Sequence, residues 1–534
     1  MYSMEEQSNA AGRRRLLRGL MGLPVLGGVL LGAFAEARRQ QERKDQLMSS
    51  LNIKAQRPPA PPELSGVPMQ VGIIGFGSRG QQLARLLGYA TLSWKKRVQK
   101  ERPQALRNFL AQEDLNVRLT GVCDVFDVPA EEATQSFPGC KRYRHHEDMI
   151  ASSDIDAVII ATPDHWHAPI AIKALRAGKH VYLEKPMAHN IRETYELREA
   201  ARRSSAVFQL GHQHRQTQSF LTAQHIIQEN VLGHISLVQA NTNRNSPNGA
   251  WQYPIHPKAS PRTIDWEQFL GSAPSIPFNK EHFFRWRKWW AYGSGLSGDL
   301  MTHDFDRINC VLKMGIPRSA TASGGIYTHR DGREVPDVLQ VSMEYPAFRT
   351  GASAAANQRK GMTFLYSATL GNQFSRKTLL MGHDGAMELG NALVVYADSN
   401  STRYQEQIAS GQIDPSVPMY AYNPAAEEVD GITSATSQYF ADKGLLWTYR
   451  GGKRVDSSLL HLKEWLAAIR HGTPVSCGAE EGFAEAMSAH MASLSWKLGR
   501  RMDWDAKNEE IVAKPSENLD EILLASRKNA FSMG

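Results

Sequence analysis

From Met69 onward the chain breaks into short apolar runs separated by amphipathic stretches, a rhythm that predicts strands alternating with helices. The runs are MQVGIIG (69–75), VRLTGVCD (117–124), a weaker KRYRH (141–145), DAVIIAT (156–162), HVYLEK (180–185) and VFQLG (207–211). Alternation of this kind predicts an α/β unit, a parallel sheet with helices on both faces. After about residue 212 the period changes to two. In VLQVSMEY (338–345), Leu339, Val341, Met343 and Tyr345 point one way, which predicts a sheet with one face solvated or covered by a partner. HLKEWLAAIRHG (461–472) predicts a helix that ends at Gly472 with Arg470 and His471 in its last turn, as helix termini favour.

The segment before Met69 follows neither pattern. Arg13, Arg14 and Arg15 precede Leu16, Leu17 and Arg18, and a glycine-rich apolar stretch runs from Gly19 to small residues at Ala33 and Ala35. Residues 1–37 resemble a twin-arginine export signal, which implies a folded body delivered to the periplasm or otherwise outside the cytoplasm. An uncleaved leader would be the one contact with a membrane, since no later apolar run approaches the roughly 20 residues a span requires. Residues 38–68, rich in proline around PPAPPELSGVP, read as a semi-rigid linker.

Composition narrows the class. With 534 residues, 42% hydrophobic and 22% charged, the chain is neither a single small module nor a disordered one. Its net charge of +8 is dispersed beyond the N-terminus, which argues against a nucleic-acid partner. Cys123, Cys140, Cys310 and Cys477 form no CxxC pair and read as packing residues.

The unusual residues fall at the C-terminal ends of the apolar runs, the edge where open parallel sheets bind ligands. Gly75, Gly77 and Gly80 of GFGSRG lie between a strand and a helix, where glycines permit a tight turn and close approach of a pyrophosphate. Phe76, Ser78 and Arg79 share that loop, and Asp124 ends the second strand, as expected for an acid on the adenosine ribose. Asp124 lies much farther past Gly75 than the roughly 20 residues of the standard unit, so residues 90–116 read as an insertion. A carboxylate at this place repels a ribose 2′-phosphate. NAD is therefore expected over NADP, with Arg79 as the residue able to reverse that preference.

Two further strings, TPDHWHAPIAIKALRAGKHVYLEKPMA (162–188) and GSGLSGDLMTHDFDRI (293–308), together with the glycine loop, resemble the Gfo/Idh/MocA family of nicotinamide-dependent oxidoreductases over residues 69–510. The resemblance implies an N-terminal Rossmann dinucleotide-binding domain (69–211) and a C-terminal α+β domain (212–510) with an open, mainly antiparallel sheet that makes homodimers or homotetramers. A tail (511–534) follows. It also implies a carbohydrate or cyclitol substrate and NAD, with Thr162, Pro163, His167, Glu184 and Lys185 joining the cofactor site. Export after folding, to a place where free NAD is scarce, is consistent with a tightly held cofactor. An insertion at about 396–456, without clear period, is outside the family pattern and reads as a lid or interface arm.

Oxidising a carbinol requires a base within reach of its hydroxyl, and Lys185 and His303 are the two candidates. Lys185 is aimed by Pro186, which holds it extended. Asp299 and His303 are four apart on an expected helix face, where a carboxylate beside an imidazole raises its pKa. His303 is then the expected acid/base, with Asp299 orienting it or binding substrate. A helix N-terminal Asp299 with a His303–Asp306 surface pair is the rival arrangement. Trp286 within FFRWRKWW, Trp166 against the nicotinamide side of the pocket, His212 and Arg215 are candidate substrate contacts. The pairs His165/His167 and His212/His214 have metal-ligand spacing, yet no metal is expected. The function implied is hydride transfer between a sugar, cyclitol or glycoside hydroxyl and a nicotinamide. Its alternative is a glycosidase or lyase that oxidises, eliminates and re-reduces with no net redox change.

Overall fold

The computed structural model describes residues 42, 45–59, 62–347, 360–374, 376–426 and 447–526. The leader-like segment 1–37 lies outside them. All six predicted apolar runs are strands: β1 (Met69–Ile74), β2 (Val117–Cys123), β3 (Lys141–Tyr143), β4 (Ala157–Ile160), β5 (His180–Leu183) and β6 (Phe208–Leu210). They form one parallel sheet in the order β3-β2-β1-β4-β5-β6. The chain order reverses between β1 and β4, so a crevice opens beyond their C-terminal ends. β4 is buried at every position, as a strand covered on both faces must be.

Among the described residues the second sheet has ten strands. It comprises β7 (Ile235–Asn243), β8 (Ser319–Gly325), β9 (Val338–Tyr345), β10 (Met362–Thr369), β11 (Thr378–Gly382), β12 (Gly385–Leu389), β13 (Leu393–Ala397), β14 (Tyr420–Tyr422), β17 (Met502–Asp505) and β18 (Glu510–Ile511). Only the central pair β7–β10 is parallel. Leu339, Val341, Met343 and Tyr345 are all buried, and Gln340, Ser342 and Glu344 are not, which is the predicted alternation. The buried face packs on the helices Thr302–Leu312 and Ala479–Leu498 through Phe305, Met487, Met491 and Phe364. No helix among the described residues is long and apolar enough to cross a membrane.

The described parts of three segments depart from the sequence reading. The linker is docked: residues 45–50 are helical, Leu47, Leu51 and Ile53 are buried in the large core, and the Gln56 amide donates to Thr222 Oγ1 at 2.9 Å. Residues 63–67 are strapped down by Arg470, which donates to the Ser65 and Val67 carbonyls. Within 90–116 the insertion is a pair of helices, Leu92–Glu101 capped by Thr91, and Pro103–Leu110 with proline in its first turn. In 396–456, β14 extends the large sheet, and a hairpin of β15 (Trp447–Arg450) and β16 (Lys453–Asp456) is held by Thr448 Oγ1 accepting from the Gln218 amide. Residues 427–446, where a lid or arm was expected, lie outside the described residues. The tail is anchored as well: Lys497 Nζ donates to the carbonyls of Ile522 and Ala525 at 3.1 and 2.7 Å.

The late helix spans Ser457–His471, capped by Asp456 at its start and closed at Gly472, whose φ of 67° only glycine adopts freely. Its Leu462, Trp465 and Leu466 are fully buried against Val71, Ile73 and Tyr182 of the first sheet. The nucleotide domain is therefore completed by residues far beyond 211.

Candidate active site

The glycine loop leaves β1 and enters the helix Ser78–Leu86. Gly75 has φ of 85°, and a Cβ there would meet the Ala161 backbone at 2.7 Å; one on Gly80 would sit 2.1 Å from the Gly75 oxygen. Gly77, by contrast, faces open space, with nothing within 4 Å of where a Cβ would be. No side chain caps this helix start, so its amides are available to an anion in that space. These features fit a pyrophosphate. Gly80→Ala is expected to displace the loop and weaken NADH binding at least tenfold, read by fluorescence titration, since the clash is with backbone that no rotamer change relieves.

Asp124 braces the loop. Its Oδ2 accepts from the Phe76 amide at 2.6 Å and its Oδ1 from the Phe126 amide at 2.8 Å, and burial raises its pKa to about 6. A carboxylate has about four acceptor sites, so room remains for a ribose hydroxyl. Arg79 turns the other way. Its Nε donates to Glu184 Oε1 at 2.7 Å, beyond the end of β5, on the opposite side of β1 from Asp124. It is thus committed to Glu184 and does not stand beside Asp124, which corrects the expectation that it could reverse the cofactor preference. His167 is fully buried, its ring nitrogens 2.7 and 2.9 Å from the carbonyls of Pro186 and Thr162. Pro163 precedes a short 3-10 turn in which Asp164 accepts from the Ser294 amide and hydroxyl, tying β4 to the second domain.

The Ser294 loop leads into a π-helical turn, Ser297–Met301, continuous with the helix Thr302–Leu312. A Cβ on Gly298 would meet Ser294 Cβ at 2.2 Å, so glycine allows this tight packing next to Pro186. Asp299 projects from the turn. Its Oδ1 accepts from Lys185 Nζ at 2.9 Å and Arg287 Nε at 3.0 Å, and its Oδ2 from Trp251 Nε1 at 3.0 Å. Burial alone would raise its pKa, but Lys185, Arg287 and Arg244 outweigh this and hold the carboxyl well below the carboxylate range. Lys185 also donates to the Asp299 carbonyl at 2.7 Å.

Asp299 therefore serves Lys185, not His303. The expected Asp299–His303 pairing is corrected because the π turn rotates the carboxylate toward the lysine and arginine. His303 instead faces His212 and His214, with ring centroids at 5.7 and 5.1 Å, and its Nδ1 is buried without a partner. Burial, then the charge of Lys185 and the neighbouring histidines and Arg307, push its pKa well below 6.5, opposite to the expected rise. The ring is neutral at neutral pH. The alternative His303–Asp306 surface pair is also absent: Asp306 is buried and pairs with Arg215.

His212 and Arg215 are corrected as substrate contacts. His212 is fully buried against Glu485 and lies 3.7 Å from Asp306 Oδ2; Arg215 pairs with Asp306 and donates to the Ser476 carbonyl at 2.6 Å. His212, Asp306 and Glu485 have metal-ligand identities and spacing, but Arg215 and His212 already balance the two carboxylates. Arg215→Met leaves Asp306 buried and undercompensated. We expect it to cost about 3–5 kcal/mol, read from the urea midpoint. Trp166 is likewise committed elsewhere, its indole donating to the Phe269 carbonyl at 3.0 Å and its ring packed on His146. Trp286 reaches the site indirectly, with the Arg287 guanidinium 4.1 Å above its ring. Arg287 belongs to the FFRWRKWW cluster whose cations beside aromatic rings suit a sugar, whereas Trp251 and Arg244 escaped prediction as site residues. Trp251 lies in a long loop without periodicity, after the polar turn NSPNG, and offered no signal in the sequence.

Residues 69–212 match a family model described as GFO_IDH_MocA, an oxidoreductase family with an NAD-binding Rossmann fold. These residues are similar to the Rossmann domain of that family. The chain is 28% identical over 267 residues to levoglucosan dehydrogenase of Pseudarthrobacter phenanthrenivorans, covering 48% of this chain and 57% of that protein. It is 25% identical over 215 residues to scyllo-inositol 2-dehydrogenase (NADP(+)) IolW of Bacillus subtilis, 40% of this chain and 50% of that one. A glycosyl hydrolase family 109 protein of Shewanella pealeana is 28% identical over 172 residues, 29% of this chain and 32% of that one. The chain spans about half the length of the first curated relatives it matches. Among solved structures, levoglucosan dehydrogenase in complex with NADH shares the fold of the N-terminal domain and of the sheet domain beyond it. Its TM-score is 0.53 at 18% identity, covering 82% of this chain and 98% of that one.

Proposed function

We propose that this protein is an NAD-dependent oxidoreductase acting on a hydroxyl of a sugar, cyclitol or glycoside. The observation that carries the reading is Lys185, aimed from the end of β5 and held by Asp299 Oδ1 at 2.9 Å, near enough to His303 for its charge to help keep that imidazole neutral, and on the edge of the sheet that bears the glycine loop. When bound, a nicotinamide supplies the acceptor for the carbinol hydride, and in a redox-neutral variant gives that hydride back.

The chain's own residues handle the proton. The Lys185 ammonium, fixed by Asp299, donates a hydrogen bond to the carbinol oxygen and favours its negative character as the C–H bond breaks. His303 takes the hydroxyl proton, leaving a carbonyl. Trp251 and Arg287 hold Asp299 so that the lysine keeps its direction. Gly75–Gly80 and Asp124 would hold the dinucleotide, and NAD is proposed because Arg79 is occupied by Glu184. One relative is named for NADP(+), so NADPH is the comparison ligand in the NADH titration.

The experiment is an incubation of purified protein with NAD and a carbohydrate panel, followed by nicotinamide absorbance. Reduction coupled to sugar oxidation supports the dehydrogenase. The match to a glycosyl hydrolase family 109 protein favours a second reading, in which glycoside cleavage proceeds with no change in absorbance and solvent deuterium enters the carbon next to the oxidised one. Neither signal from any glycoside or free sugar would reject both. Export is proposed from the leader residues, and assembly through the half-exposed face of the large sheet, where Gln239, Asn241, Gln340 and Ser342 line up. Sedimentation of the mature chain tests the latter.

A further inference from the structure

We propose, on the reading that the interdomain cleft takes a carbohydrate, that its substrate carries an anionic group, a carboxylate or phosphate on the sugar, which Arg244 binds. The case rests on an inventory of charge. Most cations near the cleft are cancelled by named partners: Arg79 by Glu184, Arg215 by Asp306, Arg307 by Asp304, and Lys288 and Arg333 by Asp331. What remains is Lys185 and Arg287 on the carboxylate of Asp299, and Arg244 at the end of β7, the strand that packs on the turn bearing Asp299, close enough for its charge to act on that carboxylate. The two oxygens of that carboxylate already accept from Lys185, Arg287 and Trp251.

Arg244 is placed firmly, and among the described residues its side chain has no partner. It directly follows β7, its amide donates to the Thr369 carbonyl at 2.9 Å, and its Cβ lies 3.0 Å from where a Gly249 side chain would begin. Its guanidinium makes no hydrogen bond or ion pair among the described residues, and the residue is only half exposed. Asp164, whose charge also acts on Arg287, accepts from the Ser294 amide and hydroxyl. The histidines add no negative charge.

A half-buried cluster with a surplus of positive charge is costly unless a ligand completes it. An oxidised nicotinamide ring brings more positive charge, which a neutral sugar does nothing to offset. A carboxylate or phosphate does, and a guanidinium can meet either with two parallel hydrogen bonds. Trp286, whose partly exposed ring lies under the Arg287 guanidinium, gives the sugar ring apolar surface beside this cationic edge, while the fully buried Trp251 only braces Asp299.

The test is equilibrium binding to the full chain loaded with NADH, read by tryptophan fluorescence. Matched probes are glucuronate, glucose 6-phosphate and glucose, and the corresponding galactose series. In at least one series an anionic sugar is expected to bind about tenfold or more tightly than the neutral one, with the advantage shrinking as salt rises. The uronate and phosphate arms decide which anion it is. Arg244→Gln is expected to abolish the advantage and Arg244→Lys to restore part of it, with NADH binding confirming that each variant is folded. Absence of an anionic preference in every series, or a preference that survives Arg244→Gln intact, overturns the proposal. Turnover of the same sugars with NAD is measured separately, so an inactive redox assay refutes the oxidoreductase reading while the binding ratio still decides this one.

Discussion

Lys185→Met abolishes turnover, lowering kcat by about 10²–10⁴-fold, while the protein still binds NADH. Methionine matches the lysine stem in length but has no donor, so the carbinol oxygen loses the hydrogen bond that Asp299 aims at it. The loop of Gly75, Gly77 and Gly80 is untouched, which is why nicotinamide fluorescence on binding separates a chemical defect from a folding defect. Asp299 keeps Arg287 and Trp251 as partners, so its charge is not stranded by the change. A variant with wild-type kcat would remove Lys185 from the chemistry.

The pH profile gives the second large effect. A base must be neutral to accept a proton, and burial with neighbouring cations favours that neutral form of His303. The acidic limb of kcat/KM for oxidation is therefore expected well below pH 6.5, the value at which an unperturbed imidazole would be half protonated. Lys185→Met removes one of the charges that depress His303, so any residual activity should show that limb shifted to higher pH. His303→Ala should lower kcat by about 10²–10⁴-fold and abolish this limb. A profile already falling between pH 8 and 7, or full activity in His303→Ala, would assign the proton to another group.

How much of this was legible beforehand depends on range. The strands of the first sheet announce themselves by short apolar runs, and Leu339, Val341, Met343 and Tyr345 by strict alternation, because those patterns are local consequences of burial. Lys185 and Asp299 were legible through their motifs. Their mutual contact, 114 residues apart, was not, since a π turn of five residues decides where Asp299 points. Arg215 read as a substrate contact because sequence shows its charge and not the buried Asp306 that absorbs it. Trp251 and Arg244 sit in irregular chain, where no periodicity betrays what a side chain faces.

The burial of Trp465 against Tyr182 bears on biosynthesis. As the polypeptide leaves the ribosome, its dinucleotide half emerges first but lacks a wall of its interior until the segment around Trp465 follows. That half must wait, with an apolar flank uncovered, for nearly the whole chain to be made, and would be a natural client of chaperones during the interval.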